Sequence, residues 1–390
     1  MSVSAASVPR ERPTATLIVP CLNEAATLGA VLEEARAAIE GDDRFDWTVL
    51  VADNGSTDGS PDIAAAHGAA VVAVAERGYG AALDGGIRAA TSEWVAYLDA
   101  DGTYRPADAV RLVHLGAACG AGFAVGNRLR GAIAPGAMPP LHRYLGTPVL
   151  TWLLRRLHGS PLGDCNSGIR AVSRSAYIGW RLRSTGMEFA SEMLVRASRA
   201  GTKTVETPVS LSPSPPGRVP HLRSWRDGMR HLLVLLAMAP GLFWHTGVVL
   251  LSGSLAFALP AAAVGMVRLP NGVEVLGPHS QSLALLFGWL GAAFVHLGLV
   301  AMDGEPPERR PAFARWLSTL SEGTLFWMLV SLGGGMFAGA LSVGGAWISV
   351  SFAHLSFQRF TLALLYFTIV PGTLLLGLFH AHLQRRIGRG

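Results

Sequence analysis

Two aspartates one residue apart, Asp99 and Asp101, directly follow the apolar run 94–98. Paired carboxylates at the end of a strand can hold a hard cation against a phosphate, because such cations prefer oxygen ligands. In an open α/β sheet, ligands bind at the carboxyl ends of the strands. An isolated Asp-x-Asp pair also occurs in many turns and helix caps, so this pair predicts a metal site only together with its surroundings.

Polar side chains also follow two earlier predicted strands. Glu24 comes after the apolar run 16–20, and Asp53 comes after the run 47–52. Strands that alternate with helices at this spacing predict a mostly parallel sheet with helices on both faces. Because parallel strands end at the same edge, we expect Glu24, Asp53 and the aspartate pair to share one edge of the sheet.

Two glycines, Gly78 and Gly80, stand before a predicted helix that runs to about residue 91. Glycine lets the backbone approach a phosphate closely, and the start of a helix favours an anion. We therefore include Gly80 among the candidate donor-binding residues. The pattern has low specificity, because two glycines before a helix are common without any ligand.

The composition points to a membrane protein. Of the 390 residues, 50% are hydrophobic and only 15% are charged, which is unusually apolar for a soluble chain. The formal net charge of +5 suits anionic lipids or phosphates, and we expect no nucleic-acid partner. Cys21, Cys119 and Cys165 show no paired or metal-type spacing, so we expect a reduced, cytosolic environment without disulfides or zinc.

Taken together, these motifs resemble family 2 glycosyltransferases of the GT-A fold. The closer resemblance is to the polyprenyl-phosphate branch, which contains dolichyl-phosphate mannose and glucose synthases. It covers roughly residues 16–236 and depends on five stretches: 19–24, 52–59, 99–101, 126–128 and 164–172. The fold class that it implies is α/β, with a Rossmann-like GT-A (nucleotide-diphospho-sugar transferase) catalytic domain followed by an all-α transmembrane domain.

The resemblance also implies roles for individual residues. Pro20, Glu24 and Asp53 would bind the nucleoside of the donor, with Asp53 accepting a hydrogen bond from the base. Asp99 and Asp101 would face the ribose and the diphosphate. Asp101 would be the principal ligand of Mg²⁺ or Mn²⁺.

Three further residues follow from the same resemblance. Thr103 stands where some relatives place a longer glutamine ligand, and a hydroxyl can also bind a hard cation at shorter reach. Arg128 resembles the arginine that lies near the transferring phosphates in the family. Arg143, on the following helix, is a second candidate, since a planar guanidinium binds phosphate oxygens in pairs.

The role of Asp164 depends on the acceptor. A phosphate monoester is already largely ionised at neutral pH, so its attack needs little base catalysis. Asp164 would then orient the acceptor or the arginines, or cap the turn before Gly168. If the acceptor were a hydroxyl, a general base would be needed and Asp164 would be the candidate.

The second half of the chain is dominated by apolar stretches. Four of them approach the length of a membrane span, at about 242–267, 283–302, 324–348 and 360–380. The predicted domains are a flexible tail (1–14), the catalytic domain (15–210), a proline-rich linker with an amphipathic interfacial helix (211–240) and the transmembrane domain (241–390). The interfacial helix would lie on anionic lipid; the alternative is an ordinary helix packed on the catalytic domain.

Arginines orient the predicted spans. Three lie between the second and third spans and three in the C-terminal tail: Arg309, Arg310, Arg315, Arg385, Arg386 and Arg389. By the positive-inside rule, the catalytic domain and both of these segments lie in the cytoplasm, at the inner face of the cell membrane.

The sequence therefore predicts a membrane-bound, metal-dependent glycosyltransferase. It would move one hexose from a nucleotide-diphosphate sugar, of the UDP-glucose or GDP-mannose type, to a polyprenyl phosphate; inversion is implied by the resemblance. Two alternatives stay open: a transferase with a lipid or polysaccharide hydroxyl acceptor, and a non-catalytic glycolipid translocation or scaffold protein. A processive polysaccharide synthase is disfavoured, because its Gln-x-x-Arg-Trp signature is absent.

Overall fold

The structure, a computed structural model, describes residues 12–215, 224–264, 267–270, 272, 274–275, 277–302, 310–349, 365–366 and 368–377. Most of the predicted N-terminal tail lies outside the described residues. So do parts of the proline-rich linker and of the fourth predicted span. The chain divides into two compact units, Met1–Leu235 and Leu236–Gly390.

Strands and helices alternate through the first unit. In chain order they are β1 (Thr14–Cys21), α1 (Ala25–Glu40), β2 (Asp46–Asp53), α2 (Ser60–Ala66), β3 (Ala70–Ala73), α3 (Tyr79–Ala89), β4 (Trp94–Tyr97), α4 (Pro106–Ala118), β5 (Phe123–Asn127), α5 (Thr147–His158), β6 (Arg170–Ser173), α6 (Arg174–Trp180), α7 (Phe189–Arg199), β7 (Thr204–Pro208) and α8 (Ser224–Ala237). A short π-helix, His142–Gly146, leads directly into α5.

One seven-stranded sheet organises this unit, in the order β3-β2-β1-β4-β6-β5-β7. Strands β1 to β4 are parallel where they pair, and β5 is parallel to β7. Strand β6 runs antiparallel between β4 and β5, which places Arg170 opposite Tyr97. The predicted α/β fold with a mostly parallel sheet is confirmed.

The sequence pattern explains the central elements. Strand β1 is buried on both faces from Ala15 to Cys21, as expected for a parallel strand covered by helices. On α1 the buried residues recur at helical spacing, at Leu28, Val31, Leu32 and Ala35. Each such leucine or valine side chain contributes about 1.5–3 kcal/mol when it is fully buried, so the core fixes β1 and the loops that leave its end.

The second unit is helical in most of its described residues. Its elements are α9 (Pro240–Val264), β8 (Val267–Arg268), β9 (Glu274–Val275), α10 (Pro278–Ala301), α11 (Ala312–Thr319), α12 (Glu322–Ser349) and a short helical segment, Thr368–Gly377. Among the described residues, two segments are long and apolar enough to cross a membrane, Pro240–Ala258 and His279–Ala301. The presence of four spans stays a prediction.

Helices α9 and α10 approach each other closely at a pair of glycines. A Cβ atom on Gly247 would lie 2.7 Å from the Gly291 carbonyl oxygen, and one on Gly291 would lie 2.7 Å from the Leu251 nitrogen. Only glycine leaves room for the two backbones here. Small residues at such a crossing are typical of helices that pack in a membrane.

Candidate active site

The predicted polar residues do come together at one edge of the sheet. The parallel register pairs Cys21, the last residue of β1, with Asp53, the last residue of β2. Asp99 follows the neighbouring β4 by two residues. Glu24, the residue just before α1, is buried. The loops after three adjacent strands therefore carry the carboxylates that the sequence singles out.

Asp99 is held by a tyrosine from the next strand–helix loop. The Tyr79 hydroxyl donates a hydrogen bond of 2.9 Å to Asp99 Oδ1. Burial, and then the charge of Asp99, raise the pKa of Tyr79 well above its ordinary value, so the hydroxyl keeps its proton. On the other side, a Cβ atom on Gly168 would lie 2.4 Å from Asp99 Oδ2, so only glycine fits against this carboxylate.

Asp101 is oriented by its own turn. Its Oδ1 accepts from the Thr103 backbone N–H at 3.0 Å and from the Thr103 hydroxyl at 2.6 Å. Asp101 is partly exposed, whereas Thr103 is buried. The Thr103 hydroxyl thus contacts Asp101 directly; its role as a metal ligand stays a prediction.

The two aspartates suit a divalent cation that also binds a substrate phosphate. Among the described residues, no group of three or more His, Cys, Asp or Glu side chains is arranged to hold a metal alone. Mg²⁺ is commonly bound by one or two carboxylates, with phosphate oxygens and water completing the shell. Asp99 and Asp101 fit that kind of site, in which the donor supplies the remaining ligands.

Arg128 forms a bidentate ion pair with Asp164. Arg128 Nε and Nη2 each donate to a different oxygen of the Asp164 carboxylate at 2.8 Å, and the Arg128 backbone N–H donates to Oδ2 at 3.1 Å. The Asp164 side chain is fully buried. Burial lowers the pKa of a guanidinium, but Tyr104 and Asp164 more than offset this and raise the pKa of Arg128. The cation is therefore permanent and its direction is set.

The turn that carries Asp164 is itself held by Glu206 on β7. Glu206 Oε1 accepts from the backbone N–H groups of Gly163 and Asp164, at 2.9 and 3.1 Å. Asp164 Oδ1 also accepts from the Asn166 N–H at 3.1 Å. Glu206 could not be identified from the sequence, because a single glutamate in a strand gives no signal of its backbone partners.

Tyr104 connects the aspartate side of the site with the arginine side. The Gly168 N–H donates to the Tyr104 hydroxyl at 2.9 Å. Burial raises the pKa of Tyr104, and the charges of Arg128, Asp99 and Asp164 all act on it. A Cβ atom on Gly168 would lie 3.1 Å from the Tyr104 ring as well as 2.4 Å from Asp99 Oδ2, so the phenol and the Asp99 carboxylate lie against the same glycine.

Arg170, within the 164–172 stretch, is a buried cation that has no role predicted from the sequence. It is completely buried on β6. Its guanidinium donates to three backbone carbonyls, those of Ser167, Cys165 and Ala190, at 3.1, 3.0 and 2.8 Å. Arg170 thereby ties the 164–168 turn to α7. An arginine inside an apolar strand was the available signal for such a role.

Asp53 organises the loop after β2. Its carboxylate accepts from the backbone N–H groups of Gly55 and Ser56 at 3.1 Å. Next to it, the Asn54 side chain accepts from the Gly78 N–H at 2.8 Å, and Arg77 donates to the Asn54 carbonyl. This network fixes the 53–56 loop against the start of α3. Contact of Asp53 with a base stays a prediction.

The structure gives Gly80 a packing role. A Cβ atom there would lie 2.5 Å from the Phe189 Cβ and 2.8 Å from the Ser184 carbonyl oxygen. At the adjacent Gly78, whose φ is +136°, a Cβ atom would lie 2.1 Å from the Thr185 carbonyl oxygen. Contact with the segment 184–186 is enough to require both glycines, and donor binding by Gly80 stays a prediction.

Pro20 and Arg143 occupy contrasting environments. Pro20 is buried within β1, paired with Ala52 on β2. Arg143 is exposed on the π-helix, with its guanidinium carbon 5.5 Å from the centre of the Tyr144 ring. Burial, and then the charge of Arg128, lower the pKa of the neighbouring His142.

Comparison with known proteins identifies relatives of this chain. The sequence model of glycosyl transferase family 2 matches residues 16–179. The chain is 33% identical over 354 residues to the low-salt glycan biosynthesis hexosyltransferase Agl6 of Haloferax volcanii, which covers 88% of this chain and 82% of that protein. It is 28% identical over 299 residues to the undecaprenyl-phosphate 4-deoxy-4-formamido-L-arabinose transferase of Serratia proteamaculans, covering 73% and 86%.

Among solved structures, glucosyl-3-phosphoglycerate synthase from Mycobacterium tuberculosis, in complex with Mn²⁺, uridine diphosphate and glucosyl-3-phosphoglycerate, is 22% identical. Its TM-score is 0.47, and the match covers 58% of this chain and 80% of that chain.

The chain belongs to glycosyl transferase family 2. It is a glycosyltransferase whose first unit is a mixed α/β, Rossmann-like GT-A domain. The site at the carboxyl edge of the sheet, with two aspartates on one side and a fixed arginine on the other, is the candidate active site of that domain.

Proposed function

We propose that this chain is a membrane-bound, inverting glycosyltransferase that moves one hexose from a nucleotide-diphosphate sugar to a polyprenyl phosphate at the cytoplasmic face. The observation that carries the choice of acceptor is the state of Asp164. Its side chain is fully buried, and both carboxylate oxygens accept hydrogen bonds from Arg128. A carboxylate held in this way is poorly placed to take a proton from an acceptor hydroxyl.

A phosphate acceptor does not need such a base. Its oxygen is already ionised near neutral pH, and it attacks the anomeric carbon of the donor sugar. The bond from that carbon to the diphosphate oxygen breaks, and the nucleoside diphosphate leaves with the electron pair. Atoms and charge balance without any proton transfer from the protein.

Residues of the chain would stabilise the phosphate groups that take part in this displacement. Asp99 and Asp101 would hold Mg²⁺ or Mn²⁺, which neutralises charge on the leaving diphosphate. Arg128 would place its guanidinium at the phosphates, and its two hydrogen bonds with Asp164 support this role because they fix its orientation. A positioned cation of this kind stabilises developing negative charge where water is excluded.

The names of relatives support a lipid phosphate as the acceptor. The Serratia proteamaculans relative is named as an undecaprenyl-phosphate transferase, and it matches 73% of this chain. The Agl6 relative is named as a hexosyltransferase and matches 88%. Both matches extend beyond the catalytic unit into the apolar half of the chain.

The apolar helices support a membrane location. In the candidate spans Pro240–Ala258 and His279–Ala301, only 11% and 33% of the residues are buried within the protein. An apolar helix in the core of a soluble protein would be mostly buried. The four-span domain over 241–390, the 211–240 linker, the 15–210 catalytic boundary and the cytoplasmic orientation are part of this proposal.

The experiment is transfer of labelled sugar in detergent from UDP-glucose, GDP-mannose or UDP-N-acetylglucosamine to a short polyprenyl phosphate, with Mg²⁺ or Mn²⁺. We expect an organic-soluble, mild-acid-labile product with one donor. Asp101→Ala should abolish it, whereas Asp62→Ala, an exposed carboxylate on α2, should not.

Two results would overturn the proposal. Transfer to a lipid or polysaccharide hydroxyl, with none to the lipid phosphate, would establish the hydroxyl acceptor. An unchanged biological role in cells that carry Asp101→Ala would favour a non-catalytic scaffold instead.

A further inference from the structure

The four residues that follow β7, 209–212, connect both sides of the candidate active site through their backbone. Each of their consecutive N–H groups donates a hydrogen bond to a different part of the domain. In order from Val209 to Ser212, the acceptors are the Asn127 carbonyl at 3.1 Å, the Asp108 carboxylate at 3.2 Å, the Ala132 carbonyl at 2.9 Å and the Thr103 carbonyl at 2.9 Å. Connecting segments usually run over the surface, whereas this segment, the strap, is bonded to the domain at every N–H.

The first part of the strap lies against the loop that carries the arginine. Asn127, whose carbonyl accepts from Val209, directly precedes Arg128. A Cβ atom on Gly131 would lie 1.9 Å from the Val209 carbonyl oxygen. Leu211 makes two backbone hydrogen bonds with the residues just beyond that glycine. The strap therefore packs along both sides of Arg128 in the sequence.

The last residue of the strap holds the turn that carries the aspartates. Ser212 donates its N–H to the Thr103 carbonyl. The N–H and the hydroxyl of Thr103 both donate to Asp101 Oδ1. One threonine is thus bonded to the strap through its carbonyl and orients Asp101 through its two donors.

Asp108, on α4, holds the middle of the strap. Of the four acceptors, Asp108 alone acts through its side chain, which is buried. Its Oδ2 accepts from Ser210, and its Oδ1 lies 3.0 Å from Nη2 of Arg111, which also donates to the Pro208 carbonyl. An acidic residue in the first turn of a helix is favourable by itself. Both oxygens of Asp108 are nevertheless directed to the strap or to the arginine that contacts the residue before it.

The side chains of the strap fix it from the inner side. Val209 and Leu211 are buried in the same hydrophobic cluster as Tyr104, while Ser210 and Ser212 are partly exposed. This alternation is that of an extended chain with one face on the core. Because protein cores are closely packed, the strap has little freedom to shift while these contacts persist.

We propose that the strap is a positioning element of the active site, which sets the spacing between the Asp101 turn and the Arg128 loop, and that Asp108 is the positioning residue that holds it. A displacement of about 1 Å in a reacting complex can cost about a hundredfold in rate. A single segment bonded to both loops would prevent such a displacement. This inference deepens the proposed function and rests on it for the roles of Asp101 and Arg128, but not for the identity of the acceptor.

The first test replaces Asp108 and measures metal-dependent nucleotide binding, which needs no acceptor. The readout is the Mn²⁺ concentration that gives half-maximal binding of labelled UDP or GDP to the full chain in detergent. Asp108→Ala should raise this concentration by about tenfold, within the range found when a supporting partner of a metal ligand is lost. Asp108→Asn keeps an oxygen for the Ser210 N–H and should recover most of the affinity.

Asp62→Ala is the matched control for Asp108→Ala. Asp62 is the third residue of α2, as Asp108 is of α4, and both helices have a proline in the first turn. Asp62 is exposed, so its replacement removes the first-turn charge without affecting the strap. This variant should bind nucleotide with the Mn²⁺ requirement of the wild type.

A second pair of variants tests the contact with the aspartate turn. Ser212→Pro removes the N–H that bonds to Thr103 and should also raise the Mn²⁺ requirement by about tenfold. Ser212→Ala keeps this N–H and should behave as the wild type. Hydrogen exchange provides an independent measure, because the amides of residues 209–212 should exchange faster in Asp108→Ala than in the wild type.

Three outcomes overturn the inference. Unchanged exchange of residues 209–212 in Asp108→Ala would show that Asp108 does not hold the strap. Faster exchange with a wild-type Mn²⁺ requirement would show that the strap does not position Asp101. A wild type that binds nucleotide equally well without Mn²⁺ would remove the metal site on which the inference rests. If the Mn²⁺ results are as expected but no lipid phosphate is glycosylated, the proposed acceptor is wrong and the role of the strap stands.

Discussion

The guanidinium of Arg128 and the carboxylate of Asp164 form two hydrogen bonds of 2.8 Å across 36 positions of sequence. Arg128 directly follows β5, and Asp164 lies in the turn before β6. Because β6 runs antiparallel beside β5, the end of one strand meets the start of the other. The sheet topology thus brings a buried anion against the cation that the reaction needs.

Replacing Arg128 by lysine should lower kcat by about 10²–10³-fold, the usual loss when one positioned electrostatic group is removed. Lysine keeps the charge but cannot form the paired contacts with Asp164 or with phosphate oxygens. The measurement is steady-state transfer with donor and acceptor varied separately. Arg130→Lys is the matched control, since that arginine is largely exposed. Equal kcat values for the two variants would contradict the assignment of Arg128.

Asp164→Asn separates a positioning role from a base role. Asparagine leaves one oxygen for Arg128, so transfer to a lipid phosphate should fall by about 10–100-fold, in the range of losses seen when a supporting partner of a catalytic group is removed. The shape of the pH–rate profile should stay the same, because Asp164 exchanges no proton in the reaction. Loss of the acidic limb of the profile in the variant would instead identify Asp164 as a general base.

We expect Glu206 to support activity as a hydrogen-bond acceptor for the 163–164 turn more than through its negative charge. Glu206→Gln keeps an acceptor for the N–H groups of Gly163 and Asp164 and should remain close to wild type in kcat. Glu206→Ala leaves both donors without this acceptor, a loss of about 1–3 kcal/mol for each group that is buried. It should lower kcat by about tenfold with little change in donor KM. Equal losses in both variants would mean that the charge, and not the turn, is what Glu206 supplies.

The strand-end carboxylates could be predicted from the sequence because their position follows from local patterns. Apolar runs ending in polar residues locate the strand ends, and parallel strands bring those ends to one edge. Asp53 and Asp99 lie there for that reason. The mostly parallel sheet follows from the same alternation of strands and helices.

The partners of these residues could not be predicted in the same way. Tyr79 meets Asp99, and Glu206 meets the Asp164 turn, only through the order of the strands in the sheet. The insertion of the antiparallel β6 between β4 and β5 has no periodic signal in the sequence. The sequence of α8 is compatible with a helix on anionic lipid and with a helix packed on the catalytic domain. The hydrogen bond between His231 and Ser191 of α7 shows that the inner side of α8 packs on the domain.

That contact leads to a prediction about pH. Burial, and then the charge of Arg170, lower the pKa of His231 to about 4, from an unfolded value near 6.5. Between these values the unfolded chain binds a proton that the folded chain does not, so the free energy of unfolding falls as the pH is lowered. The contribution is fully present above about pH 6.5 and is lost as the pH approaches 4. A shift of this size corresponds to about 3 kcal/mol.

His231→Gln should remove this part of the pH dependence, because glutamine does not titrate. We expect the thermal unfolding midpoint of the wild type in detergent to fall more steeply between pH 7 and pH 4.5 than that of the variant. His67→Gln serves as the control and should retain the steep fall. This histidine follows the end of α2, is more exposed than His231 and lies 3.5 Å from Glu33. Parallel curves for the wild type and His231→Gln would show that the α7–α8 contact does not depend on a neutral His231.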